Sequence, residues 1–76
     1  MQDIEKFLFK NNFKRTKHRD RYDHKTLPWT VWIDDQVHLI KREPTPHYEY
    51  TSEDSPQTRK AIMELMYIKH QEQEVA

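Results

Sequence analysis

The segment Phe13–Lys25, FKRTKHRDRYDHK, gathers the residues of this chain best suited to act on a charged partner: six Lys/Arg, two His and two Asp in thirteen positions. Guanidinium and ammonium groups at this density neutralise phosphates, and histidines among them can move protons. Two chemistries follow. One is nucleic-acid binding through Lys14, Arg15, Lys17, Arg19, Arg21 and Lys25, with Tyr22 as a stacking group and Trp32 further on as a second. The other is metal-independent ribonuclease action, in which His18, His24 or His38 transfers a proton beside arginines that stabilise phosphate.

Other chemistries are excluded or unsupported. The letters His18-Arg19-Asp20 match a kinase catalytic loop, but that site also needs a glycine-rich phosphate loop, and this chain contains no glycine. Five histidines stand at positions 18, 24, 38, 47 and 70, none in an HExxH or other tight ligand spacing, and there is no cysteine. No metal site, cofactor or committed catalytic residue is expected. Without cysteine there is no disulfide framework, and neither a signal-peptide layout nor a long apolar run is present, so a soluble cytoplasmic protein is the expectation.

The chain has 76 residues, of which 34% are apolar, so one domain with a small core is expected over 1–76. Its 13 basic and 13 acidic residues cancel, which argues against a generic polycation. Their distribution is polarised. Residues 1–25 carry eight Lys/Arg against four Asp/Glu, whereas residues 43–76 carry three against seven.

These residues must be positioned by a few short elements. Asp3 can cap a helix over about 4–11 whose Ile4, Phe7, Leu8 and Asn11 share a face. Asn11-Asn12 offers a left-handed C-cap in a chain without glycine, with Phe13 folding back as its hydrophobic contact. From Phe13 to about Tyr22 the pattern reads as one charged edge strand, with Arg15, Lys17, Arg19 and Arg21 on one face and Lys14, His18 and Tyr22 on the other.

WTVWI (29–33) and VHLIK (37–41) form the strongest strand pair. A three-residue loop, Asp34-Asp35-Gln36, pairs Ile33 with Val37 and Val31 with Leu39, gathering Trp29, Val31, Ile33, Val37 and Leu39 on one face. Thr30, Trp32, His38 and Ile40 then share the other. HYEYT (47–51), beyond Pro44 and Pro46, is a candidate short edge strand. Ser55-Pro56 starts a second helix to about Gln73 with Thr58, Ala61, Ile62, Leu65, Met66 and Ile68 facing inward; residues 72–76 should fray. The fold class expected is an α+β two-layer sandwich, helix, three-stranded antiparallel sheet, helix (αβββα), with both helices on one sheet face.

The order helix, KNNFKR, basic His-containing strand, strand, strand, helix is similar to that of the HicA-type mRNA interferase toxins, small relatives of the double-stranded-RNA-binding fold. The resemblance covers element order and roughly residues 4–24. That family's Gly-Ser-His-His motif is replaced here by RDRYDH, so no catalytic histidine carries over. The lysine-rich, glycine-containing helix start of the double-stranded-RNA-binding signature is replaced by the acidic TSEDSPQTRK. The chain is assigned to neither family, and fold analogy alone supplies no function.

The function expected first is a non-enzymatic binding module acting through protein contacts, such as a regulatory accessory or inhibitor of a larger machine. Its candidate partner surface comprises Trp32, His38 and Ile40 on the open sheet face, which either Tyr48 or Tyr50 can join, and Met63, Tyr67 and His70 on the last helix, with homodimerisation as one version. Nucleic-acid binding by the 14–25 segment is the alternative, and a small ribonuclease the third. No membrane contact is expected.

Overall fold

The computed structural model describes the backbone of residues 3–75 and the side chains of residues 3–67. His70, the side chain of Ile68 and the tail 72–76 therefore lie outside the described side chains. Helix α1 (Asp3–Lys10) is followed by strands β1 (Phe13–Arg15), β2 (Arg21–His24), β3 (Trp29–Ile33), β4 (Val37–Lys41) and β5 (His47–Ser52), and then by helix α2 (Pro56–Val75). The strands form one antiparallel sheet in chain order, β1-β2-β3-β4-β5. The sheet is five-stranded, not three-stranded as the sequence suggested.

Two features account for the difference. The basic segment is not one strand but a hairpin, because Asp20 adopts a left-handed backbone (φ 62°) and turns the chain between β1 and β2. Asp is among the few residues other than glycine that tolerate this region. The segment 47–52 is a full strand along the whole length of β4, with Val37 opposite Ser52 and Lys41 opposite His47, interrupted by a bulge at Leu39/Ile40. Pro44 and Pro46 fall in the preceding connection, where no ladder hydrogen bond is demanded of them.

The expected punctuation is present elsewhere. Asn12 has φ 68°, and the Asn11 amide donates to the carbonyls of Phe7 (3.2 Å) and Leu8 (3.1 Å), closing α1. Phe13, directly after this cap, is buried against the helix it terminates. β3 and β4 meet through Asp34-Asp35-Gln36 with Ile33 opposite Val37 and Val31 opposite Leu39, the register set by keeping the apolar residues together. The Ser55 hydroxyl accepts from the Thr58 amide at 3.1 Å, capping α2 with Pro56 in its first turn.

Both helices pack on the same side of the sheet. Ile4 and Leu8 of α1 and Ile62 and Met66 of α2 share one core with Phe13, Tyr22, Trp29, Val31, Val37 and Leu39, flanked by Phe7, Leu27, Ile33, Tyr50 and Leu65. Two ionisable groups border it. Lys41 is buried with its ammonium 5.8 Å from the Trp29 ring centre, a cation–π arrangement, and His24 lies edge-on to Phe13 at 5.1 Å. The His24 Nδ1 accepts from the amides of Thr26 (3.1 Å) and Leu27 (3.0 Å), so the ring is neutral there; burial, and next Arg42, lower its pKa from 6.5.

The core is small, so single truncations in it are costly. Leu39→Ala, at a fully buried position in the central part of the sheet, is expected to lose about 2–5 kcal/mol, comparable with the few kcal/mol that a domain of this size has in total. Urea titration followed by far-UV circular dichroism should find that variant largely unfolded in buffer; a midpoint near wild type would contradict the packing. Asn12→Gly, which removes a Cβ from a left-handed residue, should raise the midpoint slightly.

Candidate functional site

The turn between β1 and β2 is fixed from both sides. On the helix side Glu5, buried in the first turn of α1, accepts a hydrogen bond from the Tyr22 hydroxyl (2.6 Å) and ion-pairs with Arg15, whose Nε lies at 3.0 Å. The bond from Tyr22, and then that from Arg15, holds the Glu5 carboxyl below its usual 4.5. Burial, followed by the bond to Glu5, pushes the Tyr22 hydroxyl up to about 12. Within the turn the Thr16 hydroxyl accepts from the His18 amide at 3.1 Å and lies 3.2 Å from the His18 carbonyl and 3.1 Å from that of Arg21. The Ile33 amide donates to the Asp20 carbonyl (2.9 Å), tying the turn to β3.

On the far side of the sheet neither helix is present, and the registers define what is displayed. Arg21, Trp32, His38 and Thr51 form one cross-strand row, and Lys14, Asp23, Thr30, Ile40 and Tyr48 the next. Trp32, His38 and Tyr48 make a continuous aromatic run, with ring centres 5.8 Å and 5.4 Å apart. Its ends are open, Trp32 at 40% and Tyr48 at 59% exposure. Its middle is held: His38 Nδ1 lies 2.9 Å from Thr51 Oγ1, and Nε2 lies 2.9 Å from Asp34 Oδ1. The same bond, after the stronger one from the Gln36 amide, lowers the Asp34 pKa.

Thr30 is fully buried despite facing this side, because Asp23 accepts from its hydroxyl at 2.6 Å and is itself bridged by Arg42 (3.3 Å) and more loosely by Arg21 (3.7 Å). The consequence is a flat polar floor beside the aromatic run. At one end the basic turn rises over it. His18, Arg19, Arg21, Trp32 and Ile40 line a single concavity of about 350 Å³.

The residues singled out in the sequence therefore separate. Arg19 and Arg21 come together with Trp32, His38 and Ile40 on the open side. Arg15 and Tyr22 do not, since both bind Glu5 on the helix side, where Arg15, Lys17, His18, Arg19 and Arg21 line a second, larger concavity of about 800 Å³ with Glu5; the four basic residues expected along one strand face are gathered by the turn instead, and Tyr22 is buried. Lys14 projects from β1 on the open side, opposite Asp23, whereas Lys17 and Lys25 are exposed away from the concavity beside Trp32. Met63 and Tyr67 lie on α2, the latter 53% exposed, and so belong to the layer opposite the open face.

Two contributors are placed more closely than the sequence allowed. His18 belongs with Arg19 and Arg21 because the turn brings it there. Tyr48 belongs to the aromatic run because the bulge in the β4–β5 ladder pairs it with Ile40 while Tyr50 turns to the core. The ribonuclease candidates are not assembled: His24 is buried on the helix side, His38 is held by Asp34 and Thr51, and His18 stands in the turn. Among the described residues no group of three or more His, Cys, Asp or Glu is placed to hold a metal ion. No helix among the described residues is long and apolar enough to cross a membrane.

Glu5, which locks the β1–β2 turn, and His24, which holds the β2–β3 connection, give the fold a pH signature. His24 and Glu5 both have folded-state pKa values below their unfolded ones, so each stabilises the fold above the unfolded value and loses that contribution as pH falls through the folded one. Stability should thus decline first below pH 6.5 through His24, then below 4.5 through Glu5. Glu5→Gln should be less stable than wild type at neutral pH and converge with it in strong acid. Urea midpoints across pH test this, and a constant difference at every pH would contradict the role given to the Glu5 carboxylate.

No known protein family, curated protein or solved structure matches this chain, so neither the interferase toxins nor the double-stranded-RNA-binding domains lend it an identity, and what the site does is argued from its own geometry.

Proposed function

We propose that the protein is a small, non-enzymatic intracellular binding module that holds nucleic acid on the open face of its sheet. One observation carries this reading: the basic turn and an uncovered tryptophan share a single concavity, lined by His18, Arg19, Arg21, Trp32 and Ile40. Cations beside a stacking ring are the two components that sequence-tolerant nucleic-acid binding requires. The neutral total charge is no obstacle, because basic residues are concentrated at the N-terminal end of the chain and acidic ones toward α2. Arg19 makes no ion pair among the described residues, and Arg21 only a long one, so both guanidinium groups retain donors for phosphate.

A second reading, a protein partner, is favoured by a different observation. Tyr67, with Met63 one helical turn before it, is an exposed aromatic on α2 that belongs to neither the core nor the open face. A regulatory accessory would use such a patch to dock on a larger machine, and the two surfaces are compatible with each other.

The test is a binding titration with RNA and DNA oligonucleotides at about 20 and 200 mM salt. Wild type should bind more weakly at the higher salt, and Arg19→Glu with Arg21→Glu should abolish binding while Tyr67→Ala leaves it unchanged. No binding at low salt, or a charge-reversed variant that binds as wild type, would remove nucleic acid from consideration. A protein partner whose capture is lost in Tyr67→Ala and kept in Arg19→Glu would then stand in its place.

A further inference from the structure

Resting on the nucleic-acid reading, the geometry points to a more specific ligand: we infer that the open face binds single strands, with unpaired bases on Trp32 and Tyr48 and the adjoining phosphate at Arg19 and Arg21. The aromatic run is the first reason. A duplex buries the faces of its bases against one another and offers a protein only their edges in the grooves. Two exposed aromatic rings on a flat sheet have no counterpart there. They match the π-face of a base that is already unstacked.

Spacing is the second reason. Successive bases in duplex DNA rise by about 3.4 Å along each strand. Adjacent rings in the run are 5.8 Å and 5.4 Å apart, and the two exposed ones are separated by His38. Bases seated on Trp32 and on Tyr48 must therefore belong to an extended strand, drawn out beyond duplex spacing. His38 is fixed by Thr51 and Asp34 and so acts as a rigid spacer.

Charge placement is the third. His18, Arg19 and Arg21 rise at the Trp32 end of the run, whereas Arg42 is taken up by Asp23 at 3.3 Å and by the Leu27 carbonyl at 2.8 Å. A backbone crossing the aromatic run thus meets its unpaired or loosely paired guanidinium groups at the Trp32 end. A few nucleotides fill such a site, and the face contributes its specificity for unpaired bases through stacking, its affinity largely through the turn.

The two tryptophans make this readable. Trp29 is buried in the core and Trp32 is exposed, so quenching of intrinsic fluorescence by added oligonucleotide reports on Trp32. We expect a 12-nucleotide oligo(dT) or oligo(U), roughly the upper range of one small stacking site, to quench wild type. A duplex containing the same strand should bind at least about tenfold more weakly in competition. Trp32→Ala should weaken single-strand binding about tenfold, with the dependence on salt retained, and Trp32→Phe should recover most of it. Arg19→Gln with Arg21→Gln should instead lower the salt slope by about one per lost phosphate contact. Circular dichroism spectra matching wild type establish that these surface variants fold, and Tyr48→Ala, at the other end of the run, provides an independent loss of affinity.

Duplex binding as tight as single-strand binding, or a Trp32→Ala variant with unchanged affinity, would overturn the inference while leaving nucleic-acid binding intact. Absence of binding by either form would remove the broader reading together with this one.

Discussion

The structure depends on one constraint of area. A five-stranded antiparallel sheet has two faces, and the two helices of this chain both pack on one of them, joining Ile4, Leu8, Ile62 and Met66 to a core built on Trp29, Val31 and Leu39. The other face has no covering element among the described residues, so it must be made compatible with water by its own side chains. Thr30 shows how. It is fully buried although it faces outward, because Asp23, bridged by Arg42 and Arg21, closes over it with hydrogen bonds instead of apolar packing. Against such a polar floor, the exposed rings of Trp32 and Tyr48 are not what solubility requires, and that contrast directs attention to them.

The same constraint explains the polarised charge. Basic residues near the start of the chain populate the β1–β2 turn, which no helix covers, and one of them is drawn back: Arg15 pairs with Glu5 and thereby anchors the turn to α1. Arg19 and Arg21, on the other side of the turn, remain beside Trp32. The buried Glu5, with bonds from Tyr22 and Arg15, is thus a positioning group for the basic turn.

Much of this was legible in the sequence wherever a local signal coincided with burial. Asn12 as the helix terminator, Ser55-Pro56 as a helix start and the Asp34-Asp35-Gln36 loop all follow from short-range chemistry, and the β3–β4 register follows from keeping Val31, Val37 and Leu39 on one side. The inward stripe Thr58, Ile62 and Met66 of α2 is likewise periodic. What stayed hidden is what depends on distant partners. The hairpin within 13–24 turns on Asp20 rather than on a glycine, and its stability rests on Glu5, which precedes Tyr22 by seventeen residues. The strand β5 was visible as the candidate HYEYT, but its full pairing with β4 and its bulge were not, and the bulge decides that Tyr48, not Tyr50, faces out. The open-face residues Trp32, His38 and Ile40 were legible from strand alternation, whereas the basic residues, expected as a stripe along one strand, fold as a turn beside them.

A single view of the whole surface decides between the faces most directly. Amide chemical shifts of the isotope-labelled full chain, recorded by NMR during titration with a short single-stranded oligonucleotide, locate the ligand without assuming where it sits. Shifts concentrated at residues 18–21 and at Trp32, His38, Ile40 and Tyr48, with α2 undisturbed, are the predicted result. Shifts confined to the outward side of α2 around Met63 and Tyr67, or no shifts at all, would contradict it.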